Sequence, residues 1–396
     1  MLPTRLLLYP LGVLLLLGGA LPDALARIKL TTLPVRERVA LQLDHAQVAL
    51  VEEERLVPLV QGRNQVDFSW ANTRIDPDSL VLRILDAPDG AEPGAQVLSV
   101  SYPPHENALV WTVAARAAGT ARMRISYILG GLSKSFHYRA LADHAERTLL
   151  LSQYLQISNS AQEAFASAAI QAEVGPRLER PLGLDETKEL RLNQFAAVPV
   201  RKTYTSDPLR FGYLDRAQDK LNVPMHYVLH NAGAPLGREA LPAGKARIFQ
   251  DDGQGGSAFL GEDHGAFTAP DDELQLYLGL ARDIVVRRSV ERSERQRIAG
   301  NLYRYEVTLK YEIENFKDSP ATLDLVESVR HIRDSLYGAV ERDPEWQLGQ
   351  GSLRDPDPQH SDADQLLFHI TLPPRTAAGT AAKQIHTLRL SLNNEW

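Results

Sequence analysis

The chain has 396 residues, 44% of them hydrophobic, with a formal net charge of −7 and no cysteine. That length leaves room for two or three domains with packed cores, and missing cysteine excludes disulfides, thiol nucleophiles and thiolate-bound metals. The acidic balance, with no basic block, disfavours nucleic acid as a partner, because phosphate neutralisation needs clustered Lys and Arg.

At the amino terminus Arg5 precedes an apolar run over 6–21, and Ala24-Leu25-Ala26 offers a small-x-small cleavage site before Arg27. This is the layout of a secretory signal peptide. The run is short for a membrane span, and Pro10 and Pro22 interrupt it. Residues 1–26 are therefore expected to be a signal, and the mature chain to be periplasmic or extracellular with no membrane span. An uncleaved single-span anchor is the other reading.

Residues 27–141 read as an amino-terminal β domain. Short apolar segments such as Val66–Trp70, Leu80–Leu82, Val97–Tyr102, Leu109–Val113 and Ala121–Leu129 are separated by turn signals at Asp76-Pro77, Pro88-Asp89-Gly90, Pro93-Gly94 and Pro103-Pro104. A middle β domain is expected over 142–295. Within it the polar stretch 176–195, with Pro176, Pro181 and Gly183, reads as a linker. Ala164–Val174 is open between helix, which its alanines favour, and strand, which its setting favours. Ala246–Phe249 and Ala258–Leu260 flank Asp251-Asp252-Gly253-Gln254-Gly255-Gly256, a hairpin with a Gly-rich tip.

Residues 296–396 hold the clearest pattern. Tyr303, Tyr305, Val307, Leu309, Tyr311 and Ile313 alternate without a break with Arg304, Glu306, Thr308, Lys310 and Glu312. Period two means a strand with one buried and one wet face. The cluster Asn315–Ser319 turns the chain, and the rhythm returns at Ala321–Leu325, Leu366–Leu372 and Leu388–Leu392. One-sided apolar strands imply antiparallel sheets packed face to face. The expected fold is all-β: two or three antiparallel β domains, ending in an immunoglobulin-like β-sandwich.

Gly62-Arg63-Asn64-Gln65-Val66-Asp67-Phe68, the following Ile75-Asp76-Pro77-Asp78-Ser79-Leu80, the 246–263 hairpin and the 303–318 strand and turn together give the chain a likeness. It resembles the bacterial domain-of-unknown-function family 4139 over most of the mature region. The resemblance implies an exported, β-rich protein. That family has no established reaction, so no active-site residue carries over. The long coiled-coil insertion of some relatives is not visible in this sequence.

Candidate chemistry is sparse. No G-x-S-x-G elbow, H-E-x-x-H or phosphate-cradling loop occurs. His226 and His230 share a strand face roughly 13 Å apart, too far for one metal. The acidic loop 354–364, with Asp355, Asp357, Asp362 and Asp364, is weighed as a solvated loop against a calcium site, and the Asp251-Asp252-Gly253 tip likewise. No catalytic, cofactor-binding or metal-ligating residue is assigned. The favoured function is a binding or structural module of the cell envelope, with a protein or envelope component as partner. The alternative is an exported hydrolase acting on glycan or peptide through a carboxylate pair or a Ser–His contact.

Overall fold

The computed structural model describes residues 29–85, 94–339, 341–376 and 379–395. The expected signal segment 1–26, the turn at Pro88-Asp89-Gly90 and Trp396 lie outside the described residues. Strands take 61% of the chain and helix 3%, so the protein is all-β.

The chain forms two compact units that interleave along the sequence. The first comprises the described residues up to Leu132 together with Asn159–Ile170 and Leu178–Asp185. It holds a four-stranded sheet in the order Lys29–Thr32, Gly62–Ser69, Ala108–Ala115, Ala95–Ser101. A six-stranded sheet runs Leu178–Leu182, Phe165–Ala172, Arg38–Leu43, Val48–Leu59, Gly119–Gly130, Val81–Leu85. The sheets meet through apolar faces: the Phe68 ring of one lies 5.9 Å from Tyr127 of the other and 5.9 Å from Trp111 of its own.

The second unit contains Ser133–Ser158, Gln171–Arg177 and Glu186 onwards, and it has three sheets. The first runs Thr187–Pro199, Thr148–Asn159, Leu132–Ala142, Gly244–Asp251, Ser257–Gly265. The second runs Glu273–Leu280, Pro224–His230, Arg201–Ser206, Ala321–Ser328, Gln365–Leu372, and the third Ile284–Ala299, Leu302–Asn315, Ala382–Glu395, Glu345–Leu348. The second and third share one core, with Leu323, Leu325, Phe368 and Ile370 packed with Val307, Leu309, Tyr311, Leu388 and Leu390. The two sheets form a sandwich, but not within 296–396 as expected: it also takes in Arg201–Ser206, Pro224–His230, Glu273–Leu280 and Ile284–Ala299. Each fully buried Leu or Ile there contributes about 1.5–3 kcal/mol.

Most of the pairings among the described residues are antiparallel, but Lys29–Thr32 runs parallel to Gly62–Ser69, Leu132–Ala142 to Gly244–Asp251, and Arg201–Ser206 to Ala321–Ser328. The parallel pairs join segments distant in sequence, which periodicity alone does not reveal.

Two local readings change. The stretch 176–195, expected as a polar linker, carries the strand Leu178–Leu182 and most of the strand Thr187–Pro199. Both are sheet edges with mostly exposed side chains, so neither shows an apolar alternation. The ambiguous 164–174 segment is the strand Phe165–Ala172. One helix, Val329–Tyr337, was not foreseen. Ser328 caps it by accepting a hydrogen bond from the His331 N–H, and Asp364 accepts from the Ser328 hydroxyl and the Arg330 N–H.

Candidate functional site

Several residues singled out from sequence have structural partners. At the hairpin tip the Asp252 carboxylate accepts the backbone N–H groups of Gln254 and Gly256, which hold its pKa below the usual range. His226 packs against Tyr277 at 5.6 Å, whereas His230 bonds the Asp271 carbonyl at 2.7 Å. In the acidic loop Asp362 accepts the backbone N–H groups of Asp364 and Gln365, and Asp364 caps the helix. Asp357 instead reaches the sandwich: its Oδ2 lies 2.9 Å from His369 Nε2 and 2.8 Å from His360 Nδ1. Among the described residues no group of three His, Asp or Glu is placed to hold a metal.

The most buried carboxylates are neutralised by arginine. Glu327 takes Arg288 through both oxygens, at 2.7 and 3.1 Å, and the buried Tyr311 hydroxyl at 2.7 Å. Glu53 is paired with Arg36 at 2.5 Å and Arg55 at 2.8 Å. A Ser–His contact does occur: Ser135 Oγ lies 3.3 Å from His137 Nε2, and His137 Nδ1 lies 3.7 Å from Glu189 Oε2. Residues two apart on a strand face one way, so proximity of Ser135 and His137 follows from the strand itself. The Glu189 separation exceeds a hydrogen bond.

A cavity of about 710 Å³ lies within the second unit and was not foreseen from sequence. Gln153 and Asn193 face each other in register at its floor, beside a register shift that leaves Leu151, Ser152 and Gln153 buried in succession. Such a bulge re-aims side chains. Asn193 Nδ2 donates to Gln153 Oε1 (2.9 Å), Gln153 Nε2 donates to the Tyr138 hydroxyl (3.3 Å), and Tyr138 donates to the Pro242 carbonyl (2.7 Å). Phe195, two residues on from Asn193, shares its face.

The opposite wall is the loop 231–241. Buried Asn231 ties it down, donating to the carbonyls of Glu239, Thr268 and Ala269 and accepting from the Gly237 N–H. Gly237 has φ +84°, and a Cβ there would come within 2.6 Å of Gly233 N, so this wall requires glycine. The Glu239 carboxylate accepts the Gly175 N–H at 2.9 Å and closes the rim. A glutamine amid the apolar run 149–157 and the density of Gly and Pro over 233–237 were the available sequence signals.

The second feature is a sheet edge. Ile284–Ala299 is the outer strand of its sheet and pairs on one side with Leu302–Asn315. Its first part is covered: Leu221 N–H reaches the Val286 carbonyl at 2.9 Å, and Arg288 N–H the Asp219 carbonyl at 2.7 Å. Beyond Arg288 no second strand joins it among the described residues, and every residue from Ser289 to Ala299 is exposed. Arg292 is paired with Glu294 at 2.6 Å, the Arg295 guanidinium stacks on Tyr303 at 3.6 Å, and the strand bulges between Val290 and Arg292. Charges and bulges are devices that keep an open edge from pairing indiscriminately.

No protein-family model matches the chain, and no curated protein is significantly similar to it. No helix among the described residues is long and apolar enough to cross a membrane.

Proposed function

We propose that the protein is an exported binding module of the cell envelope that recruits a partner polypeptide by strand addition along residues 289–299. The open edge carries this reading: its outward backbone groups can pair with an extended segment, while flanking side chains select it. The alternating Glu291, Arg292, Glu294, Arg295 and Arg297 favour a partner strand with charges of complementary order. The signal-like segment 1–26 supports export, and the resemblance to the family-4139 proteins points the same way.

Ser293→Pro tests the reading, because proline removes a donor and disfavours pairing on that side. With the fold intact by circular dichroism, capture of the envelope partner seen with the unaltered chain is lost. Equal capture by both proteins contradicts strand addition. A second reading, an exported hydrolase acting on peptide, rests on the Ser135–His137 contact. Turnover of an activated ester that disappears in Ser135→Ala would favour it.

A further inference from the structure

The amide-floored cavity lies outside the edge and has a chemistry of its own. Its floor occupies a position where the neighbouring strand residues are apolar: Leu149, Leu151, Leu155 and Ile157 are all buried. Gln153 is 1% exposed, yet it is an amide. Burying a polar side chain carries a cost that one hydrogen bond barely offsets. A chain of directed bonds that spends this cost at the base of a preformed cavity fits a recognition role better than a stabilising one.

The direction of that chain defines what is offered. Because Tyr138 donates to Pro242, its oxygen accepts from Gln153. Gln153 Oε1 in turn accepts from Asn193. The Asn193 amide is thereby oriented, with its Oδ1 accepting no hydrogen bond from the described residues and its second N–H spare. A primary amide so held presents a donor and an acceptor side by side. Adjacent hydroxyl groups, each able to give and take a hydrogen bond, are their complement. Phe195 adds an apolar ring face beside them. Gln153 and Asn193 are uncharged; the charged residues of the lining are Arg238 and Glu239, whose carboxylate accepts the Gly175 N–H at 2.9 Å.

We propose that this cavity binds a neutral sugar ring, with Asn193 hydrogen-bonding two adjacent ring hydroxyls and Phe195 covering the C–H face. The volume lies in the range of small-molecule sites, and the loop 231–241 is held by Asn231 without the ligand, so binding closes no lid. The site is separate from the strand edge, and either proposal can fail alone.

Calorimetric titration of the protein with glucose, methyl glucoside and N-acetylglucosamine tests this, with N-acetylglycinamide as a non-sugar amide. Saturable binding of at least one sugar is expected, weakened tenfold or more in Asn193→Ala and in Phe195→Ala. Both variants lie on an edge strand and are checked by thermal melting. If Asn193→Ala does not fold, Phe195→Leu, which keeps the volume but not the ring, carries the test. No saturable sugar binding, binding unchanged in the folded variants, or tighter binding of N-acetylglycinamide than of every sugar would each overturn the proposal.

Discussion

His369 and Asp357 are joined by a 2.9 Å contact between imidazole Nε2 and carboxylate Oδ2, while the other ring nitrogen of His369 lies 2.7 Å from Asp324 Oδ1. With both nitrogens facing carboxylates, each must carry a proton, so the ring is an imidazolium. Partial burial lowers the His369 pKa, but the hydrogen bonds and charges of Asp357 and Asp324 outweigh it and raise the value. Asp357 is held well below the carboxylate range by His369, the Gln359 N–H and His360. The contact fastens the 354–364 loop to the Gln365–Leu372 strand. Arg201 lies 4.0 Å from Asp324, and His360 also meets Asp357.

The sign of the pH dependence follows. A histidine whose pKa rises on folding adds stability that is fully present below its unfolded value, about 6.5, and is lost as pH climbs through the folded one. Asp357 works the other way: its share is present above about 3.9 and is lost as pH falls towards its depressed folded value. His369→Gln is therefore expected to lower the melting temperature more at pH 6 than at pH 9. An equal deficit at both would mean the ring is not charged in the fold.

The Arg288–Glu327 pair is buried, with Tyr311 as a third member. Glu327→Ala removes the carboxylate that accepts from both the guanidinium and the phenol, leaving Arg288 its 3.2 Å bond to the Tyr213 hydroxyl. Breaking a buried pair from one side costs about 3–5 kcal/mol. Urea denaturation should show a loss of that size, and replacing both members with apolar residues should recover much of it.

Gly244 sits where the Gly244–Asp251 strand runs parallel to Leu132–Ala142, opposite Phe136. A Cβ there would lie 2.2 Å from the Phe136 carbonyl oxygen, a backbone atom with little room to move. Gly244→Ala is expected to destabilise the protein by on the order of 1–3 kcal/mol, the usual cost of overpacking. Gly255→Ala, at an open hairpin tip, meets nothing within 4 Å but has φ +87°. It is expected to cost less in the same thermal-melt comparison.

How much of this was legible depends on the range of the interaction concerned. The apolar face of the strand over 302–315 could be read from its alternation: Tyr305, Val307, Leu309, Tyr311 and Ile313 are all interior, although Thr308 on the other face is buried too and Tyr303 is only half-buried. The turn after it was equally visible, and Asn315 secures it by donating to the Ser319 and Pro373 carbonyls. The polar strands 178–182 and 187–199 were hidden because an edge strand need not alternate. The pairing of Arg201–Ser206 with Ala321–Ser328 joins residues more than a hundred apart, which no local pattern encodes. The amide floor of the cavity escaped for a similar reason. Gln153 and Asn193 become partners through register, and neither residue is distinctive by itself.

Strand addition at residues 289–299 is the central claim, and amide hydrogen exchange tests it most directly. In the free protein the outward amides beyond Arg288 should exchange rapidly, while those bonded to Leu302–Asn315 are protected. On addition of the captured partner, protection should appear at 289–299 and be absent with Ser293→Pro. Partner binding that leaves exchange over 289–299 unchanged and protects another surface would contradict the account.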